Sequence, residues 1–370
     1  MKKYIRGGTV IETQDRRIHP RICAKLLFFL LIFSIFLPRL NASDLIEMAT
    51  LDKGVTRLAV PRATGPTIDC YAVGLQKDKA RRVFLVVPGS KCIPLFVYKS
   101  AKSRTLSTLM FYDALLDKEF NCNVIGIERR NLKSFQEFSE RLVTQKCSDE
   151  YGSVEKKDRV ADVVVALERI AAQNWVGEIA LIGHSEGSDV VCGVAHELGD
   201  AGLSALKVKA ICCLSSSGAV QFFDHIVESR LYKKQTTQAV FDELLSFTNR
   251  TVHGEYRGFP VRRYFSYAIE TTPLDEIRRM KIPVFIAHGS DDKNVPIISD
   301  DLFAAELFRA NGFRRVKYLI LDGLDHNYND STGESHSGVV LQSVIDWLDN
   351  GCRREVETRS WPGTSERGDK

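Results

Sequence analysis

The sequence has little net charge, no internal repeat and no cysteine pair at the spacing of a zinc site. The formal net charge is only +4 over 370 residues. Much of that charge lies in basic segments near the two ends, so a nucleic-acid-binding surface is not indicated. No C-x-x-C pair or Cys/His cluster occurs, which argues against a metal site. We therefore expect neither nucleic acid nor a metal ion to bind.

The apolar run LLFFLLIFSIFL, residues 26–37, is shorter than the roughly 20 residues that a membrane-spanning helix needs. Basic residues precede it, and Pro38, Arg39 and the small residues NAS follow. This order is typical of an export signal. We expect residues 1–43 to be a signal peptide, or an uncleaved anchor that associates the protein with a membrane, and the protein to be periplasmic or secreted.

Nine cysteines fit an exported protein, and removal of Cys23 with the signal leaves eight. Four of these lie in apolar stretches and are expected to be buried free thiols: Cys122, Cys192, Cys212 and Cys213. Cys92 and Cys147 lie in predicted loops instead, and they are the pair that we expect to be bridged.

From about residue 81 to residue 349, continuous apolar runs alternate with amphipathic helical patterns. This alternation predicts an α/β fold with a mostly parallel, doubly wound sheet that is covered by helices on both faces. Two short β-like stretches, 55–60 and 67–74, are expected to form a leading hairpin. We assign residues 44–350 to this domain and the polar residues 351–370 to a flexible tail.

Residues 218–281, between the sixth and seventh predicted strands, are too many for a bare loop. Their helical spacing predicts a helical insertion over the sheet, which we interpret as a lid. The insertion also carries basic and aromatic residues, which we assign to a solvated face and a packed stripe rather than to a substrate pocket: Arg257, Arg262, Arg263, Tyr264 and Tyr267.

The stretch ALIGHSEGSDVV, residues 180–191, places Ser185 between Gly183 and Gly187, where an apolar run is followed by a helical pattern. A serine hydroxyl becomes a nucleophile when such a turn holds it beside a base and beside donors for an oxyanion. A glycine-rich turn without chemistry is the alternative interpretation. Further along the chain, two aspartates follow one predicted strand and His326 follows the next.

In these segments the sequence resembles the α/β-hydrolase superfamily, over about residues 55–350. GHSEG is similar to its nucleophile elbow, and HGSDDKNVP is similar to its H-G-x-x-D-x-x-V segment. The resemblance implies Ser185 as the nucleophile, Asp292 as the orienting carboxylate and His326 as the general base. Asp291 remains an alternative to Asp292, because the end of the strand is uncertain by a residue or two. His288 and His184 are expected to have packing or hydrogen-bonding roles.

PGSKC, residues 88–92, resembles the oxyanion loop of the superfamily, with Pro88 where a histidine often precedes the glycine. The resemblance implies oxyanion donors from the backbone N–H of Glu186 and of a residue in the 88–91 turn, Ser90 foremost, and it requires no cofactor. PGSKC followed downstream by TQKCSDEY also resembles a group of exported bacterial hydrolases with a cysteine in each loop. That resemblance favours the Cys92–Cys147 pairing.

The implied function is that of a serine hydrolase that cleaves an ester, thioester or amide of a small-molecule or peptide acyl substrate. An esterase or lipase-like enzyme is the first choice within this class. An exported peptidase of the prolyl-oligopeptidase type and an acyltransferase are the alternatives. From a different class, a non-catalytic binding domain with the same fold is a further alternative, because the fold does not guarantee the chemistry.

Overall fold

The computed structural model describes residues 46–50, 54–98, 105–117, 120–137, 147–232, 235–248, 254–256, 259–310 and 315–360. All of them belong to one compact unit. The predicted signal or anchor at residues 1–43, Arg257 and the last ten residues of the predicted tail fall outside these ranges. Within the described ranges, no helix has the length and apolar character that crossing a membrane requires.

The strands come in three groups along the chain. Those of the first part are β1 (Ile46–Thr50), β2 (Val55–Val60), β3 (Ile68–Val73), β4 (Arg81–Val87), β5 (Phe96–Tyr98), β6 (Thr105–Ser107), β7 (Cys122–Ile127) and β8 (Gln136–Glu137). The middle part contributes β9 (Val176–His184), β10 (Val208–Leu214), β11 (Glu255–Tyr256) and β12 (Phe259–Pro260). The last part contributes β13 (Val284–Gly289), β14 (Val316–Asp322) and β15 (Glu355–Ser360).

Helices connect most of these strands. In chain order they are α1 (Tyr112–Asp117), α2 (Asp149–Gly152), α3 (Lys156–Ala171), α4 (Glu186–Ala205), α5 (Gln221–Leu231), α6 (Thr237–Thr248), α7 (Val261–Ala268), α8 (Pro273–Ile277), α9 (Ile297–Ala310) and α10 (Ser337–Asp349). Helix α4 is kinked at Gly199, where φ is 61° and ψ is 173°. Helices α5 to α8 lie between β10 and β13, so residues 218–281 do form a largely helical insertion.

Ten strands form the main sheet in the order β1-β2-β3-β7-β4-β9-β10-β13-β14-β15. All neighbours from β7 to β15 are parallel, whereas β1, β2 and β3 are added antiparallel at one edge, with β2 and β3 forming the expected hairpin. The predicted fold class, an α/β fold with a doubly wound, mostly parallel sheet, is thus confirmed. The chain reverses its direction of strand addition at β4, since β7 lies on one side of β4 and β9 on the other. Loops that leave the carboxyl ends of β4 and β9 therefore meet at a crevice, where open α/β sheets bind ligands.

Buried apolar side chains fill both faces of this sheet. In β4, Val83 and Leu85 join one core cluster with α3, α4 and α9, while Phe84 and Val86 join the other with α10. Successive side chains of a strand point to opposite faces, so a continuous apolar run is what a sheet covered on both faces needs. The four cysteines predicted to be buried free thiols are indeed buried and unbridged.

The end of the chain differs from the prediction of a flexible tail from residue 351. Residues Glu355–Ser360 form β15, a parallel edge strand beside β14. Its sequence EVETRS has no apolar alternation, and most of its side chains are exposed. Ion pairs hold β15 against β14 instead. Nζ of Lys317 in β14 donates to the carboxylates of Glu355 and Glu357 at 2.9 and 2.7 Å. A charged edge strand of this kind also discourages pairing with other chains.

Candidate active site

Ser185 occupies a sharp turn between β9 and α4. Its backbone angles, φ 55° and ψ −131°, are rare for a non-glycine residue and cost about 1–3 kcal/mol. Gly183 and Gly187 flank this turn, and a side chain at either position would clash with the backbone. A Cβ atom at Gly187 would lie 2.0 Å from the carbonyl oxygen of Val87, and one at Gly183 would lie 2.4 Å from the carbonyl oxygen of Gly187. The turn has the strand–turn–helix geometry expected of a nucleophile elbow.

His326 and Asp292 meet at the same edge of the sheet, in the loops that follow β14 and β13. Nδ1 of His326 lies 2.7 Å from Oδ2 of Asp292. The other carboxylate oxygen of Asp292 accepts the backbone N–H groups of Asn294 and Val295 at 2.7 and 3.0 Å. Burial alone would raise the pKa of Asp292, but hydrogen bonds from His288 and His326 outweigh it and hold this pKa well below its usual range. Of the two candidate aspartates, Asp292 is the one that makes this contact, and as an ionised carboxylate it accepts a hydrogen bond from Nδ1–H of His326.

His288 is a second imidazole beside Asp292. It is fully buried at the end of β13, and its Nδ1 lies 2.6 Å from Oδ2 of Asp300. Its Nε2 lies 3.0 Å from the carbonyl oxygen of Val295 and 3.3 Å from Oδ2 of Asp292. Burial alone would lower the pKa of His288, but the charges of Asp300 and Asp292 raise it above its ordinary value. The contact with His288 is therefore one cause of the lowered pKa of Asp292.

His184 packs behind the elbow. Its Nε2 donates to the carbonyl oxygen of His326 at 2.9 Å, and the two imidazole centroids lie 4.9 Å apart. Burial and the neighbouring His326 lower the pKa of His184 to about 3. This histidine is therefore neutral and fixes the backbone of His326, in agreement with the packing role expected for it.

The 88–91 loop after β4 comes close to Ser185. A Cβ atom at Gly89 would lie 3.0 Å from Cβ of Ser185 and 3.4 Å from its Oγ, so a side chain there would crowd the serine. Ser90 and Glu186 line the same cavity as Ser185. Glu186 is the first residue of α4, where a backbone N–H has no acceptor within the helix. Both predicted oxyanion donors are thus carried by segments that adjoin the serine.

Arg129 is a buried arginine that sequence reasoning did not identify. Its guanidinium donates to three carbonyl oxygens of the loop, those of Gly89, Lys91 and Ile93. A planar fork with five N–H donors suits such a role. The loop is therefore held from its carbonyl side, which leaves its N–H groups to other partners.

The predicted disulfide between Cys92 and Cys147 is present, with Cα atoms 5.6 Å apart. It joins the end of the 88–91 loop to the segment that leads into α2. From α2, the hydroxyl of Tyr151 donates to the carbonyl oxygen of Ser90 at 2.6 Å. The disulfide and this hydrogen bond therefore restrain the same loop.

Two further arginines hold the side chain of Glu186. Nη1 of Arg159 lies 2.7 Å from Oε1 of Glu186, and its Nη2 donates to the carbonyl oxygen of Pro88 at 2.5 Å. Nη2 of Arg263, from the insertion, lies 2.8 Å from the same Oε1. Both guanidiniums are at least 95% buried, with exposures of 4% and 2%. Arg159 thus connects the elbow to the 88–91 loop.

Ser185 and His326 border a common cavity of about 660 Å³. The insertion contributes a large part of its wall: Gln221, Asp224, His225, Glu228, Arg263, Tyr264 and Tyr267. The sequence predicted a solvated face and a packed stripe for Arg263, Tyr264 and Tyr267, whereas in the structure these residues border the cavity. Sequence spacing could not reveal this, because the insertion folds back over the sheet from a distance along the chain.

Within the described residues no group of three or more His, Cys, Asp or Glu side chains has a metal-binding arrangement.

No family model and no curated protein matches this sequence. Solved structures do resemble the fold. Est1E from Butyrivibrio proteoclasticus is 14% identical, with 80% of this chain and 98% of that chain covered and a TM-score of 0.48. The Pyrococcus horikoshii acylaminoacyl peptidase is 12% identical, with 88% and 43% covered and a TM-score of 0.48. A thermophilic esterase, Est2 of the Planctomycetes species Thermogutta terrifontis, is 12% identical, with 85% and 96% covered and a TM-score of 0.46. The likeness is one of fold.

Proposed function

We propose that this protein is a serine hydrolase that cleaves a carboxylic ester, thioester or amide through an acyl-enzyme on Ser185. The observation that carries the proposal is the hydrogen bond between His326 and Asp292, because His326 borders the same cavity as Ser185. In the neutral imidazole that donates from Nδ1 to Asp292, Nε2 is the nitrogen that can accept a proton.

In the first half of the reaction, His326 takes the hydroxyl proton of Ser185 as its Oγ attacks the carbonyl carbon of the substrate. The oxyanion that forms accepts hydrogen bonds from the N–H groups of Glu186 and Ser90. His326 then gives its proton to the leaving group, and the acyl group stays on Ser185. In the second half, His326 removes a proton from water as the water oxygen attacks the acyl carbon; the bond from that carbon to Oγ then breaks, His326 returns the proton to Ser185, and the acid is released. Asp292 stays ionised throughout and stabilises the imidazolium.

We propose a small or medium-sized acyl substrate, and an esterase in preference to a peptidase. The cavity volume of about 660 Å³ supports this preference, since it falls in the range of small-molecule sites, about 300–1,000 Å³. Helices of the insertion border the cavity, which fits a bounded site better than an open groove for a long peptide.

Labelling with a fluorophosphonate tests the nucleophile directly, because the reagent phosphonylates only an activated serine. Wild-type protein and Ser185→Ala would be treated side by side, and the adduct located by intact mass and peptide mapping. We expect one adduct on Ser185 in the wild type and none in the variant. A folded wild-type protein that takes up no label, or equal labelling of the variant, would reject the proposal in favour of a non-catalytic binding domain.

We also propose that the protein is exported. The Cys92–Cys147 disulfide supports this location, because disulfides persist in oxidising compartments and are rare in the cytosol. The apolar run at residues 26–37 provides a signal or an anchor. Sequencing the N-terminus of protein recovered from cell fractions tests both points. A new N-terminus after about residue 43 indicates cleavage, and an intact N-terminus in the membrane fraction indicates an anchor. Intact protein in the cytosol would overturn the proposal.

A further inference from the structure

The part of the cavity wall that α5 contributes is polar and acidic. Four residues of α5 border the cavity at helical spacings that place them on one face: Gln221, Asp224, His225 and Glu228. The apolar Phe222 of α5 packs instead with Val240 and Val261 in a small core of the insertion. A pocket for a fatty acyl chain would require apolar side chains on the face that borders the cavity. The composition of this face points to a polar substrate group.

Asp189 borders the same cavity from the elbow side. It lies on α4, one helical turn after Ser185, and only 2% of its surface is exposed. Its Oδ1 is buried, and no donor of the described residues lies within hydrogen-bonding distance of that atom. Burying a carboxylate oxygen without a donor is unfavourable. A ligand that brings its own donor to this point would satisfy it.

Asp224 is also buried, with 6% of its surface exposed, and its carboxylate accepts a hydrogen bond from the hydroxyl of Ser299. Among the described residues, neither Asp189 nor Asp224 forms an ion pair with a basic side chain. Burial raises the pKa of Asp189 to about 7. Burial, and then the charges of Asp300 and Asp189, raise the pKa of Asp224 to about 8. Both buried carboxyls border the same cavity.

Basic side chains near these two carboxyls are already occupied. Nζ of Lys156, whose charge acts on Asp189, donates to Glu276 at 2.8 Å and to Thr271 at 3.2 Å. Arg263 in the cavity wall pairs with Glu186, and Arg129 is bound to backbone carbonyls. Among the described residues, these three basic side chains are thus directed to other partners, and a ligand that carries a positive charge would complement Asp189 and Asp224.

We propose that Asp189 and Asp224 form a subsite for a protonated amine, so that the substrates are esters or amides that carry an ammonium group. The inference deepens the proposed function and rests on it. An ammonium has three donors and no acceptor, which matches an orphaned carboxylate oxygen in a cavity that a second buried carboxylate borders. Four residues of helix correspond to about 6 Å, a distance that a flexible chain of about five to seven bonds from the carbonyl carbon to the ammonium can span.

Pairs of esters that differ only in one terminal group test this subsite. On the acyl side the pair is 4-nitrophenyl 6-aminohexanoate and 4-nitrophenyl heptanoate, and on the alcohol side it is 5-aminopentyl and hexyl butanoate. The quantity measured is the ratio of kcat/KM for the ammonium ester over its methyl counterpart. In the wild type we expect this ratio to exceed ten for at least one pair. In Asp189→Asn and in Asp224→Asn we expect it to fall at least tenfold.

Asp242→Asn is the matched control, since Asp242 is an exposed carboxylate of α6 in the same insertion and should leave the ratio at its wild-type value. Because the ratio is internal to each protein, partial misfolding of a variant does not change it. A wild-type ratio near one for both pairs, or a ratio unaffected by both cavity variants, overturns the subsite while leaving the hydrolase intact. If no ester is cleaved and no fluorophosphonate is taken up, the proposed function fails instead. Calorimetric titration with hexylammonium then tests the subsite alone, and absence of Asp189-dependent binding overturns it.

Discussion

Nδ1 of His326 lies 2.7 Å from Oδ2 of Asp292, across a separation of 34 residues. Parallel neighbours β13 and β14 bring the two loops together at their carboxyl ends. The carboxylate cannot turn away, because its other oxygen accepts two backbone N–H groups and His288 lies 3.3 Å from Oδ2. The orientation of the His326 ring is therefore fixed before any substrate binds.

Replacing Asp292 by asparagine should remove this control over the ring. An amide can donate to Nδ1, which favours the wrong tautomer of His326 for accepting the Ser185 proton. We expect kcat to fall roughly 10³- to 10⁴-fold, as for the corresponding change in other Ser-His-Asp enzymes, with a matching loss in the rate of fluorophosphonate labelling. Asp291→Asn is the control, one residue away, and should lose far less. Equal losses in the two variants would contradict the assignment of Asp292.

Loss of the Cys92–Cys147 disulfide should lower both stability and activity. For a sequence separation of 55 residues, loop-closure entropy gives a stabilisation of about 4 kcal/mol, and measured values for such bridges are typically about 2–4 kcal/mol. The double variant Cys92→Ser/Cys147→Ser should show this difference in urea unfolding. Its kcat should also fall, because the 88–91 loop loses one of its restraints. Cys352→Ser, which removes a free thiol, should change neither quantity. An unchanged free energy of unfolding in the double variant would contradict the prediction.

Much of the architecture was predictable because each buried strand is a continuous apolar run and each helix has its own periodicity. The elbow at Ser185 was predictable because its two glycines and its serine form a short local motif, although the carbonyl oxygen that excludes a side chain at Gly187 belongs to the distant Val87. By contrast, β15 has no apolar signature. It joins the sheet through main-chain pairing and through Lys317, and neither leaves a pattern in the sequence EVETRS.

The residues around the triad were less predictable than the triad itself. Arg129, Arg159 and Asp189 occur in helical or loop sequence where a charged residue is normally solvent-exposed, and nothing in their spacing marks them as buried. The two arginines bind backbone carbonyls and a distant carboxylate, and Asp189 is buried beside the cavity, so only the folded arrangement reveals the three. A helix position one turn after a predicted nucleophile is nevertheless a useful signal, because such a residue must face the same cavity.

The raised pKa of Asp189 predicts a specific pH dependence of stability. An aspartate in the unfolded chain has a pKa of about 3.9, whereas burial raises that of Asp189 to about 7. Between these values the folded state binds more protons than the unfolded state, so the contribution of Asp189 to stability is complete below about pH 4 and is lost as pH rises to about 7. Asp189→Asn cannot titrate, and we expect it to gain stability relative to the wild type by up to a few kcal/mol between pH 4.5 and pH 8. Urea unfolding of both proteins at several pH values measures this, and a pH-independent difference would contradict it.

Arg159 provides the last prediction, since it bridges the two segments that carry the proposed oxyanion donors. One guanidinium nitrogen binds Glu186 and another binds the carbonyl oxygen of Pro88. Lysine in its place keeps the charge but cannot reproduce the planar fork, so the two segments should lose their relative position. Loss of one oxyanion donor costs about 10²- to 10³-fold in kcat in other hydrolases, and misplacement should cost less, about 10- to 100-fold.

The two kinetic constants separate this role from a simple structural one. The oxyanion exists only in the transition state, so Arg159→Lys should lower kcat while KM stays close to the wild-type value. Arg262→Lys is the matched control, because its side chain is 63% exposed and makes no contact with the elbow among the described residues. We expect that control to retain both constants. A variant at Arg159 that raises KM without lowering kcat would show instead that the arginine acts on substrate binding.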